Sequence, residues 1–143
     1  EKMRYEAHQV GAWTLINDAY NASPSSMRAS LETTAALYPG RRIAVLGDML
    51  ELGAAAEKAH QGVGRRAAEL GFAMVVTYGK QAQWMHETAE AAGCPACYHA
   101  ASHADAAAYL RSHLMDGDTV LFKGSRGMRM EQIIAALTGE GAH

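Results

Sequence analysis

The sequence predicts an α/β domain of Rossmann-like build, three layers deep, with a mostly parallel sheet and helices on both faces. Short apolar runs rich in β-branched residues alternate with helical patterns along the whole chain. Those runs are continuous rather than alternating, as strands buried on both faces require. Each run is followed by a helix long enough to cross the sheet, so right-handed crossovers and a sandwich follow. The 143 residues fit one domain, 1–143, and the 49% apolar content suits a folded chain with a real core.

The elements follow in order. An opening strand over 3–10 turns through Gly11-Ala12 into a second over 13–16. Ser23 is a good N-cap and Pro24 suits the first helical position. Met27, Leu31 and Ala35 then recur at helical spacing until Tyr38-Pro39-Gly40 stops the helix. A strand over 43–46 precedes a helix over 54–70, with Ala56, His60, Val63 and Ala67 on one face and Gly71 after it. A strand over 74–78 leads to a helix over 81–92 that ends at Gly93. A weaker strand, 96–99, precedes a helix opened by Ser102, with Asp105 three residues on. Ala106, Tyr109, Leu110 and Leu114 form its buried face. The last strand covers 119–122, and the last helix starts near Gly127 and carries Met130, Ile133, Ile134 and Leu137.

Composition narrows the function. A formal charge of −2 gives no basic excess, which argues against nucleic acid as a partner. No apolar run approaches the length of a membrane span. The start, Glu1-Lys2-Met3-Arg4, is charged and lacks the apolar core of a signal peptide, so a cytoplasmic location is expected. It does not open on Met, so the chain is expected to be a piece of a longer one.

Parallel strands aim their C-terminal ends at one rim, where open α/β sheets bind ligands. The residues just past each strand are Asn17, Asp18, Tyr20 and Asn21; Gly47, Asp48 and Glu51; Gly79 and Lys80; and Lys123, Gly124, Ser125, Arg126 and Gly127. Such a set suits a polar, charged ligand. Asp18, Asn21 and Asp48 also suit plain turn and cap roles. Lys123-Gly124-Ser125-Arg126-Gly127 places two cations and two glycines where a helix is expected to begin, a sensible seat for a carboxylate or phosphate. A solvated basic loop is the plainer reading. His60 sits on an apolar helix face, which favours a hydrogen-bonded core histidine over one that orients Asp48.

Several nucleotide signatures are missing. Gly79-Lys80 is followed by Gln81 and does not make a P-loop, and no Gly-x-Gly-x-x-Gly follows the first strands. No Gly-x-Ser-x-Gly nucleophile elbow is present. Half of a larger site is therefore expected. The two cysteines, Cys94 and Cys97, are too few for a disulfide framework. They follow a helix instead of opening one, which is the wrong place for a redox pair. With His99 and His103 they have the ligand types of a zinc centre at a spacing unlike a standard finger.

Three stretches carry a family resemblance: 17–27 (Asn-Asp-Ala-Tyr-Asn-Ala-Ser-Pro-Ser-Ser-Met), 46–53 (Leu-Gly-Asp-Met-Leu-Glu-Leu-Gly) and 123–128 (Lys-Gly-Ser-Arg-Gly-Met). In this order, with His60 following the second, they resemble the C-terminal domain of the Mur ligase family. The resemblance covers essentially the whole chain. Its first and last motifs are similar to those of the member that adds D-Ala-D-Ala to UDP-N-acetylmuramoyl-tripeptide in peptidoglycan synthesis.

The resemblance implies a three-domain, ATP-dependent, amide-forming ligase. One domain binds the UDP-sugar, and a central one carries the P-loop and Mg2+. This one closes over ATP and the amine substrate. ATP phosphorylates the substrate carboxylate, and the amine of D-Ala-D-Ala then displaces phosphate. By the same resemblance Asp18 meets the ATP ribose, while Asn21 and Arg4 reach the nucleotide. Lys123, Ser125 and Arg126 face D-Ala-D-Ala, and Asp48, Glu51 and His60 support the site. No catalytic residue and no metal ligand is assigned to this chain, and alone it is expected to be inactive. The alternatives are another Mur-type ligase domain, or a stand-alone module with a zinc or redox site at Cys94 and Cys97.

Overall fold

In a computed structural model that describes residues 5–139, the chain runs β1 (Glu6–Val10), β2 (Trp13–Asn17), α1 (Pro24–Leu37), β3 (Arg42–Gly47), α2 (Ala56–Glu69), β4 (Met74–Tyr78), α3 (Ala82–Ala91), β5 (Ala96–Ala100), α4 (His103–His113), β6 (Thr119–Lys123) and α5 (Glu131–Thr138). One sheet forms in the order β1-β2-β6-β3-β4-β5. All neighbours are parallel except the β1–β2 hairpin. Its turn uses Gly11 at φ 60°, a left-handed conformation that favours glycine. Of the expected first strand, Met3 and Arg4 lie outside the described residues.

Strand alternation splits the core in two. Ile16, Ala44, Leu46, Val75 and Leu121 pack with Met27 and Leu31 of α1, Val63 and Ala67 of α2, and Met85 and Ala89 of α3. Leu15, Ile43, Val45, Val76, Val120 and Phe122 point the other way, against Ala106 and Leu110 of α4 and Ile133 and Leu137 of α5. The three-layer sandwich follows directly: β2, β3 and β4 are each followed by a helix on the first face, while β5 and β6 are followed by helices on the second.

The local rules act where they were expected. Ser23 and Ser26 form a reciprocal capping box with Pro24 at the helix start. Ser102 caps α4 through the Asp105 amide. Two helix starts differ from the sequence reading. A 3-10 turn, Gly53–Ala55, precedes α2. Residues Arg126–Met128 form another such turn, Arg129 is left-handed at φ 51°, and α5 begins only at Glu131. The Lys123–Gly127 stretch therefore does not open a long helix.

Candidate functional site

The sheet order creates crevices at the strand C-termini. Strand β6 sits between β2 and β3. The helix after β6 covers the opposite face from the helices after its two neighbours, so the connections diverge on both sides of it. On the β3 side the gap is packed shut. A Cβ on Gly124 would lie 3.0 Å from Gly47 Cα, and one on Gly47 would lie 2.6 Å from Met130 Sδ. Toward β2 the gap stays open as a cleft of about 270 Å³ lined by Glu6, Asn17, Ala19, Tyr20, Arg126 and Glu131. Arg126 is exposed and its guanidinium stands 4.5 Å over the Tyr20 ring, within cation–π range.

The turn that carries Ala19 and Tyr20 to the cleft also holds a buried polar cluster, on the α1 side of the sheet and outside the cleft lining. Lys123 Nζ donates to Asp18 Oδ2 at 3.0 Å and to the Asn21 carbonyl at 3.1 Å. Ser30 Oγ, from α1, donates to the same Asp18 oxygen. Both charged side chains are 4% exposed. Such depth is costly unless partners are complete, and here each charge has several. The side chain of Asn21 caps its own turn by accepting from the Ala22 amide at 2.9 Å, and Asn17 accepts from the Ala19 amide at 3.1 Å.

A second set fixes the 47–53 loop. His60 Nε2 accepts from the Met49 amide at 2.9 Å, so Nδ1 carries the proton and donates to the Ala56 carbonyl at 2.7 Å. Asp48 Oδ1 accepts from the Ala82 amide at 2.6 Å, capping α3. The Leu50 amide donates to Ser125 Oγ at 2.8 Å, and the Ser125 amide donates to the Asp48 carbonyl at 2.9 Å. His60 thus holds a loop by its backbone and does not touch the Asp48 carboxylate in this arrangement. Glu51 is exposed at the loop tip with φ 65°.

The structure joins some predicted residues and separates others. Asp18, Asn21 and Lys123 form one cluster, although the sequence reading placed Lys123 on a different ligand. Ser125 is buried and bonded to the neighbouring loop, which leaves Arg126 as the exposed cation of its motif. Arg4 lies outside the described residues. Ser30 and the Tyr20–Arg126 pair were missed. A hydroxyl on the apolar face of α1, one residue from Leu31, was the available signal for Ser30. A further open cleft of about 440 Å³ at the ends of β4 and β5 is lined by Asp48, Tyr78, Gly79, Lys80, His99 and Met128 among others. Burial, and then His86, holds the His99 imidazole below its ordinary pKa, while its Nδ1 meets Thr77 Oγ1 at 2.7 Å.

Cys94 is buried, Cys97 is half-buried, and both are free thiols. Burial, followed by the neighbouring Cys94, pushes the Cys97 thiol up to about 12, opposite to the shift a reactive thiol needs. His99 is bonded to Thr77, whereas His103 meets the Met128 carbonyl at 2.8 Å. Among the described residues no group of three or more His, Cys, Asp or Glu is placed to hold a metal ion.

Residues 3–126 match the family model described as the Mur ligase, glutamate ligase domain. The chain belongs to the Mur ligase family. As a Mur ligase domain it is 38% identical over 126 residues to the UDP-N-acetylmuramoyl-tripeptide–D-alanyl-D-alanine ligase of Bacillus subtilis, covering 87% of this chain and 28% of that protein. With the enzyme of the same name from Escherichia coli it shares 37% over 132 residues, covering 89% and 27%. Among solved structures it is similar to the MurF ligase of Thermotoga maritima in complex with ADP, at a TM-score of 0.82 and 27% identity over 96% of this chain and 30% of that one. MurF from Acinetobacter baumannii is similar at a TM-score of 0.83 and 31% identity, over 95% and 30%. This Mur ligase domain thus spans less than a third of the proteins it matches. No helix among its described residues is long and apolar enough to cross a membrane.

Proposed function

We propose that this chain is the C-terminal domain of an ATP-dependent, ADP-forming ligase that joins D-Ala-D-Ala to UDP-N-acetylmuramoyl-tripeptide in cytoplasmic peptidoglycan synthesis. The convergence of the first and last motifs carries the reading: Asp18 and Lys123 stand 105 residues apart in sequence and 3.0 Å apart at the rim. Identity to ligases of that name supports the substrate. The adjoining cleft has an aromatic ring and a cation at its mouth, which suits a nucleotide on one side and an anion on the other.

In this reading the 18–21 turn is the ribose contact, since a carboxylate accepts from two vicinal hydroxyls. Arg4 and Asn21 serve the same nucleotide. Arg126, exposed across the cleft, takes the free carboxylate of the incoming dipeptide, and Ser125 holds its loop. Asp48, Glu51 and His60 shape the loop between. The P-loop, the Mg2+ ligands and the UDP site belong to other domains of the parent protein. This domain's task is closure, which aligns amine and acyl phosphate and excludes water. Alone it has no ligase activity.

The test is phosphate release from ATP by the full-length protein with UDP-N-acetylmuramoyl-tripeptide, with and without D-Ala-D-Ala. Release that requires the dipeptide, and collapses in Asp18→Ala, supports the reading. Dependence on a different amine would keep the family and replace the substrate.

A further inference from the structure

We propose that Lys123 is the positioning residue of the nucleotide turn: it acts through Asp18 and does not touch the amine substrate. The proposal rests on the reading that Asp18 meets the ribose. An ammonium has three hydrogens to donate. Those of Lys123 have three acceptors in a single turn: Asp18 Oδ2 at 3.0 Å, the Asn21 carbonyl at 3.1 Å and the Asp18 carbonyl at 3.4 Å. None is left for a substrate carboxylate. To reach one, the side chain would have to leave a buried site and abandon a buried aspartate, which is strongly unfavourable.

What the arrangement does well is hold geometry. Lys123 ends β6, the strand with neighbours on both sides at the switch point, so its backbone is among the most constrained at the rim. Its ammonium ties the first residue of the 18–21 turn to the last. Asp18 Oδ2 receives two donors, Lys123 from the sheet and Ser30 from α1. Two donors on one oxygen set the orientation of the whole carboxylate. A ribose then meets an acceptor already aligned, with no side-chain freedom to lose on binding. The bond from the Asp18 amide to the Phe122 carbonyl, at 3.0 Å, extends the β2–β6 ladder into the turn and fixes the same register.

The test uses the full-length ligase and compares wild type with Asp18→Asn, Lys123→Met, Ser30→Ala and the Asp18→Asn/Lys123→Met double variant. It reads KM for ATP, KM for D-Ala-D-Ala and the kcat/KM preference for ATP over 2′-deoxy-ATP, with melting curves to check folding. Asp18→Asn should remove most of the preference. Lys123→Met should remove it as well, raising KM for ATP about tenfold while KM for the dipeptide stays within about twofold. The double variant should lose no further preference than Asp18→Asn alone, because Lys123 acts through that carboxylate. Ser30→Ala should move the preference in the same direction by a few fold. A raised KM for D-Ala-D-Ala in Lys123→Met, with the ATP preference intact, overturns the proposal while leaving the ribose contact standing. Should Lys123→Met fail to fold, Lys123→Arg takes its place: a planar guanidinium cannot reproduce the three-way contact, so an ATP preference left unchanged there overturns the proposal equally. A wild type with no preference, or one that Asp18→Asn leaves untouched, removes the ribose contact and the proposal with it.

Discussion

Strand β6 has an acid–cation pair at each end, and the two pairs differ in depth. Just before the strand, Asp118 accepts from Arg41 and from the Met115 amide, tying the α4–β6 turn to the start of β3. Asp118 is 1% exposed but the Arg41 side chain is 31% exposed, so its guanidinium keeps water. At the far end both Lys123 and Asp18 are 4% exposed. The lower pair is a loop fastener with one solvated partner. The upper pair has given up water on both sides, which a stability role alone does not require, since an apolar pair of similar shape is often as stable. Burial at the rim fixes the shape of the 18–21 turn, whereas at the base it fastens the α4–β6 turn to β3.

Removing one partner at each end separates the two pairs most directly. Lys123→Met strands a buried carboxylate and should lower unfolding free energy by about 3–5 kcal/mol in urea titrations of the full-length protein. Adding Asp18→Asn should recover much of that loss. Asp118→Ala should cost less, about 1–3 kcal/mol, because Arg41 can turn to solvent. Equal losses at the two ends would dissolve the distinction. A smaller effect is expected away from both pairs: Ser23→Ala removes the α1 cap and should cost about 1 kcal/mol by the same titration. It should leave KM for ATP unchanged, since the cap does not touch the Asp18 carboxylate.

The smallest effect is a pH slope near the second cleft. His99 has a folded pKa below its ordinary 6.5, from burial first and then His86, against smaller opposing influences from Asp48 and Glu87. A depressed histidine favours the neutral form in the fold. Its contribution is therefore present above 6.5 and is lost as pH falls from there toward the lower folded value. Melting temperature should fall across that window, and His99→Gln should flatten the slope. An unchanged slope would assign it to other groups.

Much of the fold was legible because strands buried on both faces leave continuous apolar runs, which shortness, β-branched content and flanking turn residues separate from buried helix segments. The 74–78 run is the clearest case, reproduced as Met74–Tyr78. The start of α5 was not legible. Gly127 looked like a helix opening, but the left-handed Arg129 and the Met128-to-Ser125 bond, at 2.8 Å, make a separate turn first. That turn is set by tertiary packing of Met128 and Met130 against Gly47, which no local pattern encodes. Motif residues around the site were equally visible, yet their partners were not. A lysine at a strand end reads the same whether it faces solvent or, as Lys123 does, a carboxylate more than a hundred residues away.

The position of β6 also bears on how the chain is made. The strand at the heart of the sheet is the last to be synthesised. Until residue 123 has left the ribosome, β2 and β3 each present an unsatisfied edge to one another and to the surrounding cell, the kind of surface that pairs with other chains. Sheet closure must wait for long-range pairing, which makes the late steps slow and exposed to aggregation. The same residue that completes the hydrogen-bonded ladder delivers the Lys123 ammonium to Asp18. Nascent chains therefore gain the Asp18–Lys123 contact and a complete sheet in one event, and a chain stalled before Thr119 has neither.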